Sequence, residues 1–60
     1  MRDYVLLKKD GTKVVGEFGS FQDALATKKA LVSHFGEIFL VMNRREAMAQ
    51  FLCVREYYGL

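Results

Sequence analysis

The chain has 60 residues, 52% of them hydrophobic, and a formal net charge of +2. This length allows one domain over residues 1–60, and such a domain buries only about 60% of the surface that its unfolded form exposes. The small positive charge argues against an acidic DNA mimic and does not by itself predict nucleic-acid binding. No apolar run approaches the ~20 residues of a membrane span, and residues 1–4 do not resemble a signal peptide, so we expect a cytoplasmic protein.

Domains this small are usually reinforced by disulfides, by a metal or by oligomerisation. Cys53 is the only cysteine and His34 the only histidine, which excludes an intrachain disulfide and a Cys/His metal site within one chain. The three tyrosines and five phenylalanines are more than a small core easily hides. We therefore expect a homodimer, without a metal or other cofactor.

The first predicted elements are two strands of a β-hairpin, at residues 4–8 and 13–18. Asp10-Gly11 between them is typical of a two-residue type I′ turn. Pairing about this turn sets Lys8 opposite Lys13, Leu6 opposite Val15 and Tyr4 opposite Glu17. The other face of the hairpin is expected to face the core. It carries Val5, Leu7, Val14 and Phe18.

A helix is predicted over residues 21–35, with Ser20 as its N-terminal cap and Gly36 at its end. At about 100° per residue, the apolar positions fall within an arc about 120° wide. These positions are Phe21, Ala24, Leu25, Leu31, Val32 and Phe35. Lys28 projects into the middle of this arc, and we expect its stem to lie over the rim of the core with the ammonium group in water. Two alternatives are a buried lysine that acts as a base or nucleophile and a lysine that pairs with a carboxylate of a partner chain.

The longest unbroken apolar run, at residues 38–42, predicts a central strand covered on both faces. Asn43 is then expected to cap a second helix. Residues 53–58 could extend this helix or form a last strand, and we favour the helix. Its inward stripe would consist of Ala47, Phe51, Val54 and Tyr58. The predicted fold is α+β with the order ββαβα, packed as two layers, and ββαβαβ is the alternative.

The sequence shows no constellation typical of catalysis. Local spacing places no acid or base beside His34 or Cys53, and the carboxylates form no paired motif. We therefore expect a non-enzymatic interaction protein, a homodimer that binds a protein partner and regulates or inhibits it. A protein of this type would suit a regulator encoded by a phage or mobile element. Aromatic and apolar side chains, most of them near the end of the chain, are the expected dimer or partner contacts. We include Phe39, Leu52, Tyr57, Tyr58 and Leu60.

The alternative function is nucleic-acid binding through a basic surface, which could equally contact an acidic protein. Three lysines cluster at the hairpin turn, and an arginine pair lies at the start of the second helix. The full set is Lys8, Lys9, Lys13, Lys28, Arg44 and Arg45. Acidic residues interleave with these positions, which weakens the basic signal.

Overall fold

The computed structural model describes residues 3–59, and there the chain forms three strands and three helices. In chain order they are β1 (Tyr4–Lys8), β2 (Val14–Phe18), α1 (Phe21–Phe35), β3 (Phe39–Asn43), α2 (Arg44–Gln50) and α3 (Leu52–Tyr57). The α+β class and the order ββαβα are confirmed. Residues 52–57 are helical, so the helix favoured for the end of the chain is confirmed and the ββαβαβ alternative is wrong.

The strands form one sheet in the order β2-β1-β3, and both pairings are antiparallel. The apolar run at residues 38–42 does form a strand, but this strand begins at Phe39 and leaves Ile38 exposed. In the sheet β3 lies at an edge, and β1 takes the central position that we predicted for the apolar run. β1 also has three successive apolar residues, Val5, Leu6 and Leu7, and in the central position all three are fully buried.

The hairpin turn differs from the predicted type I′ turn. The Lys8 N–H donates to the Lys13 carbonyl at 3.1 Å, so the loop covers residues 9–12. A type I′ turn requires a positive φ at both central residues. In this loop only Gly11 has a positive φ, of 69°, and Asp10 has a negative one. The Asp10 carboxylate accepts from the Thr12 N–H at 3.1 Å and from its hydroxyl at 2.6 Å. Such bonds to the residue two positions on stabilise a turn without positive φ at the aspartate, and they lower the pKa of Asp10.

A β-bulge shifts the predicted register of the hairpin. Tyr4 pairs with Phe18 and Leu6 with Gly16, while Leu7 pairs with Val14, so Val15 is the extra residue. The predicted pairs Leu6–Val15 and Tyr4–Glu17 are therefore wrong. A bulge of this kind is set by tertiary fit, and the pattern of side chains along a strand does not reveal it.

The sheet is covered on both faces. On one face, Val5 and Leu7 form a buried cluster with Ala47 of α2 and Val54 of α3. Because side chains alternate along a strand, Leu6 points to the other face, where α1 lies. Within residues 3–59, α1 makes no close contact with α2 or α3. The molecule therefore has three layers, and the predicted packing in two layers is wrong.

The helix ends follow the predicted signals. The Ser20 hydroxyl accepts from the Asp23 N–H at 3.1 Å, and Gly36 ends α1 with a φ of 69°. The Asn43 side chain accepts from the Arg45 N–H at 2.9 Å. At Phe51 the backbone is extended, which separates α2 from α3 where one continuous helix was predicted.

The hairpin loop is held against this break between α2 and α3. The ring of Phe51 lies directly beside Gly11, so closely that a Cβ at position 11 would overlap it. The Cys53 thiol donates to the Gly11 carbonyl at 2.8 Å. The predicted inward stripe of Ala47, Phe51, Val54 and Tyr58 does belong to the core or packs against it, and this prediction is confirmed.

Candidate protein-interaction surface

The apolar arc of α1 is wider than its contact with the sheet. Ala24 is the only α1 residue that is fully buried, and Leu31 beside it is half-buried. Phe21 is 49% exposed and Phe35 60% exposed, and Val32 is also exposed. One margin of the arc therefore packs on the sheet, and the rest of the arc faces solvent.

The outward part of the arc has a regular spacing. Its residues are Phe21, Leu25, Lys28, Val32 and Phe35, which we name the α1 seam. The alternating steps of four and three residues are those of the contact line between two packed helices. At about 100° and 1.5 Å per residue, the α1 seam spans about 80° of the helix circumference and about 21 Å of its length. It thus has the shape of a surface for another helix.

Lys28 is the central residue of the α1 seam and is half-buried. It lines a shallow groove of about 350 Å³ together with Leu25 and Val32. This placement matches a stem that lies along apolar surface while the ammonium group reaches solvent. Lys28 is not fully enclosed, so the alternative of a buried catalytic lysine has no support in its surroundings.

The apolar surface continues from the end of α1 onto the hairpin. Phe35 and Leu31 line a groove of about 420 Å³ with Val15, the bulge residue of β2. Lys8, Lys13 and Glu37 also line this groove. The groove therefore has an apolar floor, and the charged side chains at its rim are mainly positive.

The predicted contact residues are divided between the core and the surface. Phe39 is only 3% exposed and lies in the core, whereas Leu52 is 61% exposed and Tyr57 is also exposed. Tyr58 packs against the core cluster. Leu60 lies outside the described residues. Of the four described residues in this set, Leu52 and Tyr57 have side chains available for a partner.

Tyr58 occupies a polar corner beside the core. The Arg44 guanidinium lies 5.5 Å from the centre of its ring. The hydroxyl is buried and lies near the Glu17 carboxylate. Burial, together with the Glu17 carboxylate, raises the pKa of Tyr58 to about 12. The phenol therefore stays protonated in the folded chain well above neutral pH.

This shift in pKa predicts an alkaline loss of stability. A phenol with a folded pKa of about 12, against a usual value of 10.0, stabilises the fold fully below pH 10. That contribution is lost as the pH rises from 10 to 12. Because solvent screens part of this interaction, we expect the unfolding free energy of the wild type, measured by urea titration, to fall relative to that of Tyr58→Phe by only on the order of 1 kcal/mol over this range. If the unfolding free energies of the two proteins changed with pH in the same way, the raised pKa of Tyr58 would be contradicted.

The six predicted basic contact residues, all within residues 3–59, do not form one surface. Lys9 and Lys13 are exposed at the hairpin loop, with Lys8 beside them. Arg44 follows the opposite end of β3, because Asn43 pairs with Tyr4 while Phe39 pairs with Lys8. Four residue steps along a strand separate the two groups by about 14 Å. Arg45 is exposed next to Arg44, and Lys28 lies on α1.

The apolar periodicity of α1 predicts the arc, but it does not predict that the α1 seam within that arc faces solvent. The lysine at the centre of that arc was the sign in the sequence that part of the arc faces solvent. Ile38 was likewise assigned to a strand and is exposed.

Other kinds of site find no support in the described part of the chain. Among residues 3–59, no three His, Cys, Asp or Glu side chains lie close enough together to hold a metal ion. Nor does this part of the chain contain a helix that is long and apolar enough to cross a membrane. No model of a known family matches the sequence, and no curated protein or solved structure is significantly similar to it.

Proposed function

We propose that this protein is a non-enzymatic interaction protein that forms a homodimer and binds another protein through the α1 seam, thereby regulating or inhibiting it. The observation that carries the proposal is the exposed apolar stripe on α1, centred on a half-buried lysine. Contiguous apolar surface on a small domain is costly in water and is typical of sites where partners bind. The phenylalanines at its two ends are suitable anchors, because aromatic side chains are enriched at protein interfaces.

The position of Lys28 favours a different protein, rather than a second copy, as the occupant of the α1 seam. Lys28 is the third of five seam residues, so any self-pairing over the whole seam brings the two Lys28 side chains together at its centre. Like charges brought together in an interface oppose binding. A partner helix with an apolar face and a central Asp or Glu would instead pair with Lys28. The proposed partner segment is therefore an amphipathic helix with a central acid.

Substitutions in the α1 seam test this proposal. We expect Phe35→Asp and Val32→Asp to abolish retention of the partner in pull-downs from the native cell, since each places a charge in the apolar contact. Ala30→Asp is the matched control, because Ala30 is exposed on the opposite side of the same helix. Retention by the seam variants that equals retention by Ala30→Asp would contradict the proposal. Loss of retention only in Leu52→Asp would assign the contact to α3.

Nucleic-acid binding is the second candidate, and the cluster of Lys8, Lys9 and Lys13 at one end of the hairpin favours it. Phosphate contacts weaken steeply with salt, whereas an apolar contact does not. Copurified material that absorbs at 260 nm and is removed by salt would support this candidate over the first. The variant Lys9→Glu/Lys13→Glu should then lose that material, while Phe35→Asp should keep it.

A further inference from the structure

We infer that two copies of the chain join through the outer edge of β3, by antiparallel pairing centred on Val41. This inference deepens the homodimer part of the proposed function and does not depend on the α1 seam. The occupant of the edge is a second copy of the same strand. The contact would extend the sheet from three strands to six.

Hydrogen bonds at the two ends of β3 define which of its backbone groups face outward. The Lys9 N–H donates to the Ile38 carbonyl at 3.1 Å, and the Arg44 N–H donates to the Asp3 carbonyl at 2.7 Å. In an antiparallel ladder these directions alternate from residue to residue. The backbone groups of Phe39, Val41 and Asn43 therefore point away from β1. Within residues 3–59, no strand pairs with them.

The outer edge of β3 lacks the devices that usually protect an edge strand. Proteins block such edges with charged side chains, prolines or bulges. The sequence of β3 is Phe-Leu-Val-Met-Asn, without a charge or a proline, and its pairing with β1 is regular. The other edge of the sheet, β2, does have a bulge at Val15 and carries Glu17. This asymmetry selects β3 as the edge that pairs.

Pairing of β3 with its own copy is self-complementary. The register that overlaps the whole strand sets Val41 opposite Val41 of the second copy and Phe39 opposite its Asn43. It is symmetric about a twofold axis, as a homodimer contact requires. The three outward-facing residues of each copy supply up to six main-chain hydrogen bonds.

Charges beyond the ends of β3 match in this register. Glu37 lies four positions before Val41 and Arg45 four positions after it, and both are exposed. Because β3 ends at Asn43 and α2 begins at Arg44, antiparallel pairing about Val41 places the loop with Glu37 of each copy beside the start of α2, with Arg45, of the other. The twofold axis gives two such pairs of opposite charge. Registers shifted along the strand shorten the overlap and move these charges apart.

Proline substitutions test the contact directly. Proline is tolerated in an edge strand where its nitrogen faces solvent. We expect Val41→Pro to keep the fold, judged by circular dichroism, and to convert the dimer into a monomer, judged by light scattering. Leu40→Pro is the control, because the Leu40 N–H faces β1 and its loss should unfold the protein. A dimer that persists in folded Val41→Pro would overturn the inference.

Charge reversals test the register independently of any change in folding. We expect Glu37→Arg and Arg45→Glu each to raise the dimer Kd by about tenfold, and the double variant to restore the wild-type value. Dimers unaffected by either reversal would overturn the proposed register. A monomeric wild type at 100 μM, roughly the concentration needed to populate a weak dimer, would overturn the dimer itself. Loss of a partner from Phe35→Asp in pull-downs would still support the α1 seam in that case.

Discussion

Replacing Gly11 with alanine is expected to cost about 2–5 kcal/mol of the unfolding free energy. Two effects combine at this position. Gly11 has a φ of 69°, where a Cβ costs about 1–2 kcal/mol. The added Cβ would also overlap the Phe51 ring, and overpacking of this kind costs about 1–3 kcal/mol. A 60-residue domain has only about 3–9 kcal/mol of stability in total, so the variant should be largely unfolded by mild denaturant.

Gly36→Ala separates the two effects. Gly36 has the same φ of 69°, but a Cβ there meets nothing within 4 Å. We expect this variant to show the backbone cost alone, about 1–2 kcal/mol. Combining Gly11→Ala with Phe51→Ala should remove the overlap, so that the two substitutions are less than additive in urea titrations. Equal losses for Gly11→Ala and Gly36→Ala would show that the hairpin loop does not pack on Phe51.

Leu6→Ala is expected to destabilise the protein as much as Leu7→Ala does, by about 2–4 kcal/mol each. Both leucines are fully buried because β1 is the central strand and is covered on its two faces. A two-layer fold would instead expose one of them, and its substitution would then cost little. The two variants therefore test the three-layer arrangement by equilibrium unfolding.

Leu52→Ala serves as the control for these variants. Leu52 is 61% exposed in α3, and alanine has a helix propensity at least as high as that of leucine. We expect a change within about 0.5 kcal/mol. A loss comparable to that of Leu6→Ala would mean that α3 packs differently, with Leu52 covered.

The two proposed contacts lie on different parts of the molecule and could operate together. Antiparallel pairing through β3 would place both copies of α1 on the same face of the extended sheet. The dimer would then present two α1 seams side by side. Two linked sites bind a partner that has two matching segments more tightly than one site does.

The sequence by itself determined the local elements of this protein. Ser20 and Gly36 defined α1 at both ends, because a hydroxyl cap and a left-handed glycine act within one helical turn. Asn43 marked the start of α2 in the same way. The first and third strands and the inward stripe of α2 and α3 were likewise readable, since apolar periodicity is a local signal.

Only the tertiary structure decided which apolar surface is buried. Val5, Leu6 and Leu7 occupy the central strand, although the sequence predicts a buried face only for Val5 and Leu7 and predicts the central position for the apolar run around Val41. Three other features also depend on how the layers fit together. They are the bulge at Val15, the break between helices at Phe51 and the exposure of the α1 seam to solvent. In each case, segments far apart in the sequence could fill the same small core, and only some of them can be buried in it. The pattern within one segment shows that the segment is apolar, but it does not show which of the apolar segments is buried.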